Sequence, residues 1–278
     1  VAGGPDNSPY DLVNMNVTDL KKATLAGEYF VPLAEMQGNV PNSADLWDFG
    51  SFSNVGLTWI LTELGYAYRT DALAGGAAPE GFAALWEPRF DGAWAGFVTT
   101  NNFFVNHFLL TCAVHGSGPT DLEAGYDAYR RLGALKIANF SSAMTQLLGQ
   151  GEAGIGIHHD AETYAAIAGG QPLGFARWTG YTPIVDQTLA VCRGTSPLRR
   201  RLAYAFADRL VGAPFQGVMA SRLFTQGTHP PMRVPDALAA LGVANTPEAA
   251  AGRWVAPWDF WLENEIDVVE TVNQIYAG

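Results

Sequence analysis

Short apolar runs of strand character alternate with helix-length amphipathic segments along the whole chain, and that alternation restricts the fold more than any other feature. It is the pattern of an α/β protein, with strands laid into a sheet and helices packed over it. "YDLVNM" (10–15) is an apolar run, and "TDLKKATLAG" after it reads as a helix that Gly27 closes. "GLTWILTELGYAYRT" (56–70) has the aromatic and β-branched content of extended chain, either one long strand or two linked ones. "FFVNHFLLTCAVHG" keeps helical apolar spacing up to Gly116. Thr120 with Glu123 makes a capping box for "DLEAGYDAYRRL", and Ser141 can cap "SAMTQLLGQG". The strand "AGIGI" then leads to His158, His159 and Asp160, with Asp160 placed as N-cap of "AETYAAIA". "TLAV" (188–191) reads as a further buried strand. In "SPLRRRLAYAFADRLVG", Ser196 caps a helix, Pro197 sits in its first turn and Gly212 ends it. Leu198, Leu202, Phe206 and Leu210 recur every four residues there and are expected to form its buried face. The C-terminal "WDFWLENEIDVVETVNQIYAG" places Leu262, Ile266, Val269, Val272 and Tyr276 on its apolar side.

With 278 residues, 48% of them hydrophobic, the chain can fill one large domain or two lobes. A net charge of -11 with only 16 Lys and Arg argues against nucleic acid or anionic lipid as partner and favours a cationic ligand. No apolar run approaches the roughly 18 residues needed to cross a bilayer. The opening "VAGGPDNSPYDLV" lacks the basic-then-apolar order of an export signal, so in an exported protein that signal is expected to have been removed. Cys112 and Cys192 lie in apolar stretches and are expected to be buried free thiols. Eight Trp and ten Tyr suit a protein that clamps a ligand between flat faces.

In α/β folds ligands gather outside the carboxyl ends of strands, where helix N-termini offer unpaired donors. That rule selects Asn16 and Thr18 after the first strand, Thr99, Thr100, Asn101 and Asn102 after "GFV", and His158 and His159 after "GIGI". The Asn and Thr residues are equally good helix caps, and one residue can fill both roles. Asp186 stands in an apolar stretch, between "PIV" and "TLAV", where an unpaired carboxylate is costly to desolvate, so a partner is expected, either a bound cation or an internal Arg or Lys. Neighbouring residues on a strand point to opposite faces, so His158 and His159 are expected to diverge, and with Asp160 engaged as a cap no metal or cofactor site is expected.

The order of segments resembles the periplasmic solute-binding proteins of ABC importers in the spermidine/putrescine group, which also includes ferric-iron and opine binders. The stretches that carry the resemblance are "YDLVNMN...LAGEYFVPL", "GLTWILTELGYAYRTD", "FAALWEPRFDGAWAGF", "LLGQGEAGIGI" and "GGQPLGFARWTGYTPIVDQTLAVCRGTSPLRRRLAYAFADRLV". It covers almost the whole chain and implies a two-lobed type II periplasmic binding protein fold. The strand-helix-strand unit that opens the first lobe in the family is absent ahead of Tyr10, which implies a chain lacking its true start. The resemblance implies a first lobe of residues 1–64 and 186–228, a second of 65–185 and 229–278, and a ligand cleft between them.

By the same resemblance the chain is a periplasmic receptor, or a membrane-anchored extracellular one, and acts as a monomer. It captures a small nitrogen-containing solute such as a polyamine, opine or other amine, performs no catalysis and docks on an ABC permease. Asp186 resembles the Asp that holds a ligand amine in polyamine binders. Aromatic residues on the crossing strand and near the last helix raise Trp59 and Trp258 above Trp178, Trp254 and Trp261 as ligand walls, with Thr62 on the same crossing strand. The expected ligand set is therefore Asn16, Thr18, Trp59, Thr62, Thr100, Asn101, His158, His159, Asp186 and Trp258. His158 replaces an aromatic residue that touches ligand in relatives. Ferric iron is disfavoured because the adjacent tyrosines of iron binders are missing and only Tyr164 stands on the helix. The neutral strand end Thr99–Asn102 makes a diamine less secure than a smaller or zwitterionic amine. Two rival readings are a metal-dependent hydrolase built on His158, His159 and Glu162, and a ligand-sensing receptor domain.

Overall fold

The structure is a computed structural model that describes residues 6–50, 55–72, 77–133, 136–178 and 180–277. Thr179 and Gly278, which belong to two of the stretches quoted above, lie outside the described residues. Eight strands and eleven α-helices follow one another among the described residues. The first are β1 (Leu12–Met15), α1 (Val17–Ala26), α2 (Leu33–Asn39), β2 (Leu57–Arg69), β3 (Trp94–Phe97) and α3 (Asn102–His115). Next come α4 (Leu122–Arg130), β4 (Lys136–Ala138), α5 (Ser141–Gly149), β5 (Ile155–His159), α6 (Asp160–Ala168), β6 (Leu173–Arg177) and β7 (Thr182–Val191). The chain ends with α7 (Pro197–Val211), α8 (Ala213–Leu223), α9 (Asp236–Ala240), α10 (Pro247–Ala251), β8 (Arg253–Trp254) and α11 (Trp258–Ala277).

The chain divides into two units, Val1–Thr62 with Val185–Arg253, and Glu63–Ile184 with Trp254–Gly278. The division falls inside β2 and inside β7, so the 56–70 stretch is one long strand that carries the chain from the first unit into the second. Segment 229–253, expected in the second lobe, falls in the first unit. There Asn245 accepts from Trp47 Nε1 and donates to the carbonyls of His229, Pro230 and Met232.

In the first unit β1 pairs antiparallel with β7, Leu12 opposite Val191 and Asn14 opposite Leu189. Both faces of β7 are covered, as alternation requires. Leu189 and Val191 pack into a core with Met36, Leu57, Ala207 and Leu210, while Ala190 and Cys192 pack with Leu20 and Phe30. The buried side of α7 differs from the expected stripe. Leu198, Leu202 and Phe206 are more than half exposed, and the helix buries Ala203, Tyr204, Ala207, Leu210 and Val211 instead. A row spaced by four drifts about 40° around the helix at each step, so from 198 to 210 it turns through about 120° and only its end reaches the sheet. The small Ala203 and Ala207 occupy the i, i+4 positions that face the sheet.

In the second unit the strand order is β6-β2-β5-β3-β4. Strands β3, β4 and β5 run parallel, whereas β2 is antiparallel to both β5 and β6. On α4, Gly125 lies so close to α3 that a Cβ there would collide with Cys112 Sγ and touch Phe108. Both cysteines are buried free thiols. Of the expected apolar side of α11, Val272 is buried, Leu262, Val269 and Tyr276 are half-buried, and Ile266 is 80% exposed; Trp258, Trp261 and Val268 complete the buried side. No helix among the described residues is long and apolar enough to cross a membrane.

Candidate functional site

Three parallel strands of the second unit each run into a helix, and the N-termini of those helices are tied to one another. Asn101 caps α3 by accepting from the Phe103 amide at 2.8 Å. The Phe103 ring meets the His159 ring edge-on, with centroids 5.5 Å apart. At the start of α5, Ser141 donates to Glu162 Oε1 of α6 at 2.7 Å. This is the strand-end, helix-start geometry in which α/β folds hold ligands.

Asn101 caps α3, while the expected caps of α4, α5 and α6 each sit one residue from the observed position. Phe140 rather than Ser141 is the N-cap of α5, and Asp121 rather than Thr120 is that of α4, accepting from the Ala124 amide. His159 rather than Asp160 is the N-cap of α6, its Nδ1 accepting from the Glu162 amide at 3.5 Å. Asp160 is completely buried and turns back to accept from the amides of Glu63 and Ala161. Glu63 is itself buried and paired with Arg177 at 3.1 Å, and Arg177 also donates to the Tyr164 hydroxyl.

The two histidines converge, against the sequence expectation. His158 and His159 are the last two residues of β5, and α6 begins at the next residue, so strand alternation does not govern where their rings go. The rings stand 5.1 Å apart, nearly perpendicular, and His158, His159 and Glu162 each bring a ligand-type atom within 4.8 Å of the other two. Thr145 Oγ1 lies 2.9 Å from His158 Nε2 and 3.4 Å from Glu162 Oε2. Burial lowers the His158 pKa to about 3, assisted by the neighbouring His159, so this imidazole is neutral at physiological pH. Burial alone would raise the Glu162 pKa, but contacts with His159 and Ser141 outweigh it and hold the group near 2, as a carboxylate. His158 is fully buried and His159 is 9% exposed.

The first unit holds a second polar group, around Asp186. This residue is 3% exposed in the middle of β7. It accepts from the Thr188 hydroxyl and, at 3.4 Å, from the Val17 amide that opens α1. Among the described residues no Arg or Lys pairs with it. Burial pushes its pKa up to about 6 against those two donors, and the nearby Asp19 adds to the rise. On the opposite face of β7, Trp59 Nε1 donates to Asn14 Oδ1 at 2.8 Å, Asn14 donates to Gln187, and Gln187 donates to Asn16 Oδ1 at 3.3 Å.

Of the ten expected ligand residues, Asn16 and Trp59 are linked through Gln187 and Asn14 in the first unit, Asp186 lies on the other face of β7, and His158 and His159 come together in the second unit. Thr18 is buried within α1, Trp258 is buried at the start of α11, and Thr62 is half-buried on β2. The Asn101 amide is engaged on both sides, capping α3 and donating to the Asn139 carbonyl. Thr100 is exposed, at a shallow hollow formed with Ile266, Val269 and Asn273 of α11. Sequence reasoning missed Asn14 and Gln187 as the links between Trp59 and Asn16; Asn14 stands two residues before Asn16, and that period-two signal was available.

No protein-family model and no curated protein matches the sequence. Solved structures do. An extracellular solute-binding protein from Bordetella parapertussis superposes with a TM-score of 0.81 at 17% identity, over 98% of this chain and 84% of that one. The spermidine/putrescine ABC transporter substrate-binding protein PotD from Streptococcus pneumoniae gives 0.76 at 15% identity, over 98% and 85%. The binding protein MotA from A. tumefaciens, in complex with glucopine, gives 0.71 at 14%, over 97% and 84%. The chain therefore has the α/β fold of the extracellular solute-binding proteins of ABC transporters.

Proposed function

We propose that the chain is the substrate-binding component of an ABC importer: a non-catalytic extracytoplasmic protein that captures a small nitrogen-containing solute and delivers it to a membrane permease. The observation that carries this reading is Asp186, a carboxylate buried with donors but without a described cation, in a fold whose solved examples bind solutes. Burying a charge without a counter-ion is expensive, and a ligand ammonium is the group that would offset that cost. PotD is named for polyamines and MotA was solved with an opine, and both suit the same anchor. A single carboxylate, with no second acidic group paired to the ligand, favours a monoamine or zwitterion over a polyamine.

A thermal-shift screen of polyamines, opines, quaternary amines and amino acids tests the reading, since a ligand of the folded state must raise the melting temperature. Cationic hits are expected, and Asp186→Asn should abolish their shift. A shift unchanged by that substitution removes Asp186 from the site; a screen in which no amine raises the melting temperature removes the reading.

A further inference from the structure

We propose that His158, His159 and Glu162 form a binding site in the second unit for one divalent transition-metal ion of the zinc class. Two imidazoles and a carboxylate are the ligand set of many zinc and non-haem iron sites, and here one atom from each lies within 4.8 Å of the others. The His158 Nε2 to Glu162 Oε2 distance is 3.9 Å and the His159 Nε2 to Glu162 Oε1 distance is 3.7 Å. Both are too long for hydrogen bonds, so the two rings face the carboxylate across a gap. Tetrahedral zinc with bonds of about 2.0–2.1 Å places its ligands about 3.3–3.4 Å apart, so the two nitrogen-to-oxygen gaps need to shorten by about half an ångström, and the rings, in a set that lies within 4.8 Å, draw in with the carboxylate around one ion.

The surroundings suit that role. Ser141 and Thr145 hydroxyls hold the two oxygens of Glu162, as outer partners orient a metal-binding carboxylate. The Glu162 side chain is 41% exposed while those of His159 and His158 are 11% and 0%, so an ion enters past the carboxylate and completes its shell with water on that side. Ligation has costs that the geometry also shows. His158 gives up its contact with Thr145, and His159 shifts its proton to Nδ1 and loses the 3.5 Å cap contact, the longest in the cluster. The N-terminal end of α6 repels a cation as well, and the Glu162 charge opposes that repulsion. This inference does not rest on the solute-binding reading, which requires no metal.

The test titrates chelator-treated protein with Zn2+ by calorimetry and with Co2+ by visible absorption. Saturation at one ion per chain is expected, with the spectrum of nitrogen and oxygen ligation. Glu162→Gln and His159→Asn should each weaken binding at least about tenfold, with folding confirmed by circular dichroism, while His115→Asn leaves it unchanged. If His159→Asn does not fold, Glu162→Gln, altered at a partly exposed position, decides alone. No saturable binding by the unaltered chain, or equal binding by Glu162→Gln, overturns the site. Running the amine screen in chelator keeps the outcome apart from that of the solute-binding reading.

Discussion

Asp186 has its pKa raised to about 6 by burial, against an ordinary value near 3.8, and this makes the folded chain sensitive to pH in a particular direction. The folded state binds the proton more tightly than the unfolded one. The contribution to stability is therefore fully present below pH 4 and is lost as the pH rises to about 6, amounting to about 3 kcal/mol at most. Asp186→Asn should flatten that part of the stability curve and leave the ligand-free protein at pH 7.5 as stable as the parent or more so, measured by urea unfolding. A bound cation reverses the sign: affinity for an amine should fall by up to about tenfold per pH unit below pH 6, as the carboxylate takes up its proton. The ion pair between buried Glu63 and partly exposed Arg177 behaves oppositely on substitution. Arg177→Met takes a cation from a buried carboxylate and should cost about 1–3 kcal/mol by the same unfolding measurement. That Asp186 is buried and needs a partner was legible from its apolar flanks; that a hydroxyl and an amide meet it was not, because the Val17 amide arrives from a segment 169 residues away.

Helices and strands were easier to read than the faces they present. Gly27, Gly116 and Gly212 stop α1, α3 and α7 where the sequence marks them, since each follows directly on its helix. The caps of α4 and α6 were misplaced by one residue, Thr120 for Asp121 and Asp160 for His159, because the choice depends on which backbone amide the side chain can reach in space. The α7 stripe failed for a geometric reason, and this separates two substitutions on one helix. Leu202→Gln, on the exposed side, should change stability by no more than about 0.5 kcal/mol, while Leu210→Ala should cost about 2–5 kcal/mol. Thermal and urea unfolding of the two variants checks the orientation of the helix. At the contact between α3 and α4, Gly125→Ala should destabilise by about 1–3 kcal/mol, since Cys112 leaves no room for a methyl group.

For the molecule as a whole, the net charge of -11 and isoelectric point of about 4.8 make it attractive to cations at a distance. The association rate of a cationic solute should accordingly drop with added salt, whereas that of a net-neutral zwitterion should change little; stopped-flow binding at two ionic strengths distinguishes them. Each unit is assembled from pieces far apart in the chain, so little of this organisation could be seen in local patterns. The same feature bears on synthesis. Asn14 meets its partner Gln187 at a sequence separation of 173, so at about 5–20 residues per second the first strand leaves the ribosome roughly 10–35 s before its neighbour exists. Until β7 arrives, β1 has an open edge and no lasting companion, which should make dilute, cold refolding more productive than concentrated refolding.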